Sequence, residues 1–203
     1  MLSRLRGVMT RLWTPLADAL LRAGVSPDAV TITGTLVVVV TALWAFPTGH
    51  LLLGGLLIAV FTLTDSIDGV MARRSGRSGP WGAFLDSTLD RFGDGAIFAG
   101  LVLWYTGAGD SRPNAVLALA CLVLGSIVPY ARARAEGLGM TAAVGIAERA
   151  DRLFAVLVAT VLVGAGLPDT VMTVVLALLT VASAVTVVQR MATVRHQVRQ
   201  AAP

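Results

Sequence analysis

Six apolar runs, at about residues 30–46, 51–72, 84–105, 115–131, 153–167 and 171–188, leave this chain little choice of fold. Runs of this length match helices that cross the roughly 30 Å hydrocarbon layer of a bilayer. Pro47, Gly49, Gly107, Gly109, Pro113, Gly166 and Pro168 fall between the runs, where helix breakers belong. Composition agrees: 56% of the 203 residues are hydrophobic and only 14% charged, and the mean hydropathy is +0.78, far from the balance of a water-soluble domain. The expectation is an all-α integral membrane protein with six transmembrane helices. The whole of 1–203 forms one membrane domain, because six spans with short connections leave no room for another.

Residues 1–24 differ from the rest. Arg4, Arg11, Asp18 and Arg22 gather on one helical face opposite Leu5, Met9, Leu12, Leu16 and Leu20, the pattern of an amphipathic helix lying in the membrane interface, with a kink at Pro15. Charge interrupts the apolar residues, which argues against a cleaved signal peptide. The remainder, 25–203, is the six-helix bundle.

All sixteen basic residues are arginine, and only Arg112 falls on the side of the membrane opposite to the others. The positive-inside rule then puts both termini, and the link between the second and third spans, in the cytoplasm. Trp44, Trp104 and Tyr105 fall near the opposite ends of their helices, as interfacial anchors or as ordinary packing residues. Cys121 lies alone in an apolar run, so no internal disulfide is possible, and it reads as a small core side chain. His50 and His196 have no ligand-like neighbours in sequence and read as solvated residues; Met71 and Trp81 read as packing or interfacial ones.

Against this background the stretch DSIDGVMARRSGRSGPWGAFLDSTLD, residues 65–90, is out of place, with four aspartates in two membrane-embedded helices. Asp65 and Asp68 are three residues apart and Asp86 and Asp90 four apart, so each pair shares a helical face. The connection through Arg74, Gly76, Arg77, Gly79 and Pro80 is short enough to make the two helices antiparallel neighbours, with the pairs facing each other. An aspartate at mid-membrane depth costs roughly 2.5–3.5 kcal/mol on insertion scales, so the four must face inward. Close carboxylates with no His or Cys nearby form a hard oxygen site for Mg²⁺, or for Mn²⁺ or Ca²⁺, and exclude zinc. Gly69 and Ala72 bare the backbone beside the acids, and Arg73 follows; cation, carboxylates and arginine together suit a phosphate ester.

Asp65, Asp68, Gly69, Ala72, Arg73, Gly82, Asp86 and Asp90, at these spacings, resemble without departure the signature D-x2-D-G-x2-A-R-x8-G-x3-D-x3-D of the CDP-alcohol phosphotransferases. The resemblance implies transfer of a phosphatidyl or similar group from a CDP-linked donor to an alcohol with release of CMP, six transmembrane helices after an N-terminal interfacial helix, and a homodimer. By position, Asp65, Asp68, Asp86 and Asp90 become the ligands of Mg²⁺ (or Mn²⁺), two ions in all, with Asp90 as the catalytic base. CDP-diacylglycerol is the expected donor. The segment SPDAVT, residues 26–31, is similar to the family's P-N-x-x-T element, with Asp28 in place of the usual Asn. The expected donor-binding set is therefore Asp28, Ala29, Val30, Thr31, Asp68, Gly69, Ala72, Arg73, Gly79 and Gly82. Ser26 and Pro27 serve equally well as an ordinary helix start.

The acceptor is legible in the arginines. YARARAEGLG ends the fourth helix, ERADR begins the fifth, and Arg190 and Arg195 close the sixth. Guanidinium groups converging there suit a phosphorylated acceptor, although topology alone also places arginines at these ends. The two segments resemble the branch of the family that uses inositol 3-phosphate and occurs in bacterial plasma membranes. By matching position, Arg134, Arg152 and Arg190 bind the acceptor phosphate, with Arg132, Arg149 and Arg195 as secondary candidates. Glycerol 3-phosphate is the alternative acceptor, and a cation transporter, which also uses intramembrane acids, the alternative class. Asp94, one turn beyond Asp90, reads as a supporting polar residue outside the signature, and Arg91 and Ser87 as structural ones. The expected partners are the two substrates and the bilayer, with no nucleic acid.

Overall fold

The computed structural model describes residues 13–64, 66–76 and 79–201, and the regular structure among them is entirely helical. Residues 13–22 form α1. Then follow α2 (Pro27–Ala45), α3 (Leu51–Thr64), α4 (Ser66–Arg74), α5 (Pro80–Thr106), α6 (Arg112–Glu136), α7 (Arg149–Gly164) and α8 (Thr170–Ala201). Arg4, Arg6 and Arg11 of the expected interfacial helix lie outside the described residues, as do Asp65, Arg77 and Ser78.

Local chemistry explains the helix starts. Ser26 caps α2, its hydroxyl accepting from the Ala29 amide at 3.2 Å, with Pro27 opening the first turn. Pro80 and Pro113 occupy the first turns of α5 and α6, where an absent N–H costs nothing.

Among the described residues, four segments are long and apolar enough to cross a membrane: Pro27–Ala45, Leu51–Arg74, Arg112–Glu136 and Thr170–Gln200. The other two expected spans exist as helices but differ in character. α5 has the length, 27 residues, but carries Asp86, Asp90, Arg91 and Asp94; α7 has only 16 residues. Two helices also outrun their apolar segments, α6 reaching Glu136 and α8 reaching Ala201. At 1.5 Å per residue, the 32 residues of α8 extend about 48 Å, well past a bilayer's hydrocarbon. Its arginine-bearing end therefore stands clear of that layer.

The bundle is built by α2 on α5, α5 on α6, α6 on α8, α3 on α7 and α7 on α8. Small residues let the helices meet closely. A Cβ on Gly100 of α5 would fall 2.4 Å from the Ala42 carbonyl oxygen of α2, and one on Gly164 of α7 would fall 2.3 Å from the Leu52 amide nitrogen of α3. Phe46, Ile58, Phe98, Leu101, Met172 and Leu176 fill the interior. Leu36, Val40, Trp44, Leu63, Leu178, Val181 and Val188 are all more than half exposed, a surface that suits lipid rather than water. Trp44 is exposed and stacks on His50. Tyr105 follows the packing alternative: it is buried, and its hydroxyl donates to Asp169 at 3.1 Å, so it locks α5 to the start of α8.

A second, smaller core joins α1 to α4. Ala17 meets Ile67, Val70 and Met71 of α4, with Trp13, Leu20 and Val30 around them. Arg74 grips Asp18 with two hydrogen bonds, of 2.5 and 3.0 Å. Residues 137–148 lie along α8. The Ile146 and Ala147 amides both donate to the Thr186 hydroxyl at 3.1 Å, and Gly145, at φ +146°, has only 2.3 Å between its ideal Cβ position and Thr186. That loop delivers Glu148 and α7 to the site.

Candidate active site

A cavity of about 1700 Å³ opens between the helices on the side where α4 ends and α5 and α7 begin. Its walls differ in chemistry. One carries Asp68, Gly69, Ala72 and Arg73 of α4 with Gly79, Gly82 and Asp86; another carries Arg132, Glu148, Arg149, Arg152 and Arg190. A third is apolar, formed by Leu56, Ala59 and Leu63 of α3 and Leu153, Phe154, Leu157 and Val161 of α7.

The aspartate wall is held from two directions. Asp68 Oδ1 accepts from the Gly69 amide at 2.5 Å, and Oδ2 accepts from the Thr31 hydroxyl at 2.5 Å. Thr31 thereby ties the element that starts α2 to the signature on α4. Asp68 and Asp86 share the cavity and stand close enough to repel each other. That repulsion, in an all-oxygen donor set, is what a hard divalent cation relieves. Among the described residues no three His, Cys, Asp or Glu side chains form a metal cluster; Asp65, the remaining member of the expected set, lies outside them. The residues present fit a divalent ion in charge and donor type.

Glycine opens the aspartate side of the cavity. A Cβ at Gly79 or Gly82 would meet nothing within 4 Å among the described residues, while one at Gly69 would come within 3.5 Å of Arg73 Nη1. The backbone is thus bare toward the cavity, with the Arg73 guanidinium folded over it. Asp28 lines the same space, and its Oδ2 accepts from Trp81 Nε1 at 3.0 Å. Ala29 and Val30 are not brought to the cavity: the Ala29 amide is used by the Ser26 cap, and Val30 packs into the small core beneath α1.

Asp90 lies one turn beyond Asp86 on α5 and, unlike Asp86, is not among the residues lining the cavity. Its Oδ1 meets Arg149 Nη2 at 2.9 Å and its Oδ2 meets Arg91 Nη2 at 3.5 Å. Arg149 also donates from Nε to Asp94 Oδ1 at 2.9 Å, so one guanidinium bridges two carboxylates on successive turns of α5. Arg152 is almost fully buried, with Nη1 donating to the Ala147 carbonyl at 3.2 Å and Nη2 directed at the Gly125 carbonyl at 3.5 Å. Arg190 donates from Nε to the Val144 carbonyl at 3.0 Å and from Nη1 to the Val128 carbonyl.

Of the expected acceptor arginines, Arg152, Arg190, Arg132 and Arg149 line the cavity. Arg134 and Arg195 are exposed and not among its lining residues. The reason is helical phase: Arg132 and Arg134 are two residues apart on α6, about 200° around the axis, so both cannot face one cavity. The sequence reads Arg91 as structural and Trp81 as a packing or interfacial residue, whereas Arg91 lines the cavity and Trp81 donates to Asp28. Neither carried a signal beyond its place beside the signature. The apolar wall was also unread, because its residues look like any others in an apolar run.

Known proteins are similar to this chain in sequence and in fold. A phosphatidylinositol phosphate synthase of Cutibacterium acnes is 48% identical over 97% of this chain and 98% of its own. One of Streptomyces avermitilis is 45% identical over 97% and 83%. The crystal structure of the Mycobacterium tuberculosis phosphatidylinositol phosphate synthase with CDP-DAG bound superposes with a TM-score of 0.87 at 41% identity, covering 91% of this chain and 94% of that one. The same enzyme in complex with manganese and citrate gives 0.86. Residues 24–188 match the CDP-alcohol phosphatidyltransferase family, a stretch that runs from the Asp28 wall of the cavity to beyond its apolar one. This chain is therefore a multi-pass membrane protein and a member of the CDP-alcohol phosphatidyltransferase family.

Proposed function

We propose that the chain transfers the phosphatidyl group of CDP-diacylglycerol to inositol 3-phosphate, giving phosphatidylinositol phosphate and CMP. One observation carries this reading: a single cavity has a carboxylate wall, an arginine wall and an apolar wall. A nucleotide diphosphate, a second phosphate and lipid tails each have a surface of matching chemistry there. The relatives point the same way, by their name and by the CDP-DAG bound in one of their structures.

Asp28, Thr31, Gly69, Ala72, Arg73, Gly79 and Gly82 receive the CDP head, with Ala29 and Val30 supporting the helix start. The diacylglycerol tails lie along α3 and α7. Asp65, Asp68, Asp86 and Asp90 are the residues that would hold Mg²⁺ or Mn²⁺, two ions in the fullest form of the reading. When bound, such ions neutralise the diphosphate and polarise the bond to the leaving CMP. Arg152 and Arg190, with Arg132 and Arg149, fix the acceptor phosphate and so aim its hydroxyl. The acceptor oxygen attacks the β-phosphorus, the bond from that phosphorus to the CMP oxygen breaks, and Asp90 takes the hydroxyl proton.

The same reading gives six spans, with α5 and α7 crossing as an inward-facing pair whose charges turn to the cavity rather than to lipid. It also places the termini and the cavity mouth on the cytoplasmic side, from the arginine distribution, and pairs two chains as a homodimer, as the family resemblance implies.

Purified protein in lipid nanodiscs, given CDP-diacylglycerol with inositol 3-phosphate, glycerol 3-phosphate or free inositol, tests the assignment through CMP release. Fastest turnover with inositol 3-phosphate, lost on chelation and restored by Mg²⁺ or Mn²⁺, is the expected result. Preference for glycerol 3-phosphate would reassign the acceptor and leave the reaction unchanged. Turnover undiminished by thorough chelation would overturn the metal assignment.

A further inference from the structure

Asp94 lies outside the family signature and is not among the residues lining the cavity, yet three arginines that do line it converge there. Arg149 Nε reaches Asp94 Oδ1 at 2.9 Å, while Arg152 Nη2 and Arg91 Nη2 lie 3.8 and 3.9 Å from Oδ2. The residue is only 8% exposed, and Oδ2 is buried without a hydrogen-bond partner among the described residues. A carboxylate in so dry a place is costly unless paired. Its neighbours Gly93, Ala96, Ile97 and Phe98 are buried and apolar or small, so packing alone would favour an apolar side chain at this position.

The three guanidinium groups repel one another, and a phosphate entering from the cavity meets them from one side only. An anion fixed behind them offsets the repulsion and sets their spacing before the phosphate arrives. Arg149 shows how: with Nε anchored on Asp94 and Nη2 2.9 Å from Asp90, its plane and reach are defined from the α5 side. Arg152, held by the Ala147 and Gly125 carbonyls, leans on the same carboxylate.

We propose that Asp94 is the positioning residue of the acceptor-phosphate site, setting Arg149 and Arg152 in the geometry that grips the acceptor's phosphate. It touches neither substrate and acts through the two arginines. Arg149 thereby becomes a principal phosphate contact rather than a secondary one. This inference rests on the phosphorylated-acceptor reading above and deepens it.

The test is steady-state kinetics of the full chain in nanodiscs at saturating metal, varying inositol 3-phosphate and CDP-diacylglycerol in turn. Asp94→Asn keeps size and removes charge. Loss of one charge-assisted contact to the arginines is expected to raise the acceptor KM about ten- to a hundredfold, with kcat and the donor KM within about twofold of wild type. Asp94→Glu, which restores the charge, recovers part of that loss. Adding Asp94→Asn to Arg149→Gln costs little more than Arg149→Gln alone, because a residue acting through another is not additive with it.

An unchanged acceptor KM in Asp94→Asn, or full additivity with Arg149→Gln, overturns the proposal. So does a parallel change in kcat and both KM values, which is the mark of a general structural role. If Asp94→Asn fails to fold, Asp94→Glu decides by the same criterion: a shift confined to the acceptor KM supports positioning, and no shift overturns it. Wild-type protein that uses free inositol as readily as inositol 3-phosphate overturns the underlying reading instead, and that outcome is visible without any variant.

Discussion

Thr31 offers the sharpest test of how the donor side is assembled. Its hydroxyl lies 2.5 Å from Asp68 Oδ2 and 3.1 Å from the Pro27 carbonyl. A hydroxyl has one proton to give, and the shorter, charged partner is the better acceptor. Thr31→Val keeps the branched shape at a residue only 7% exposed and removes that proton. Hydrogen bonds to charged groups contribute about 1.5–3 kcal/mol. The lower end applies here, because Asp68 is half-buried and faces an open cavity, where water partly replaces the lost donor. About 1.5 kcal/mol corresponds to about tenfold in binding. Since Asp68 serves metal and donor together in the proposed site, both the half-saturating Mn²⁺ concentration and the CDP-diacylglycerol KM should rise by about that factor, with the inositol 3-phosphate KM unmoved. Thr31→Ser, which keeps the hydroxyl, should restore most of the loss. CMP release in nanodiscs, titrated separately with metal and with donor, measures both. Wild-type metal and donor dependence in Thr31→Val would refute the coupling and leave Thr31 as a helix-start residue bonded to Pro27.

Three further outcomes follow from the geometry. Asp90→Asn removes the proposed proton acceptor and should abolish turnover while CDP-diacylglycerol binding, read by equilibrium dialysis, persists; retained turnover would displace Asp90 from that role. Arg152→Ala, at a buried cavity-lining position, should raise the acceptor KM by about ten- to a hundredfold. Arg134→Ala, exposed and away from the cavity lining, should change it by less than about threefold, since exposed charges contribute little. Gly100→Val must displace α2, because its Cβ would fall 2.4 Å from the Ala42 carbonyl oxygen; overpacking of this kind costs about 1–3 kcal/mol and should appear as a lower thermal midpoint in detergent.

Much of the site was legible because its chemistry is local. Asp68, Gly69, Ala72 and Arg73 share one helix turn or two, and spacing alone places them on a common face. The arginines were harder. Arg132 and Arg134 look equivalent in YARARAEGLG, and which one turns inward depends on how α6 is rotated against α8, which Arg190 reports through its bond to the Val128 carbonyl. Arg149 looked secondary for the same reason: nothing in ERADR says that its guanidinium bridges Asp90 and Asp94 of α5.

By itself, then, the sequence determined that the chain is a bundle of apolar helices with a cluster of carboxylates suited to a hard cation on two of them, since hydropathy and helical periodicity act within a single segment. Tertiary structure alone decided which side chains from different helices meet: Thr31 with Asp68, Trp81 with Asp28, Arg149 and Arg152 with Asp94. Those pairings depend on the rotation and depth of each helix against its neighbours. Small close contacts such as Gly100 on Ala42 and Gly164 on Leu52 set both, and one apolar run does not reveal which face will meet another.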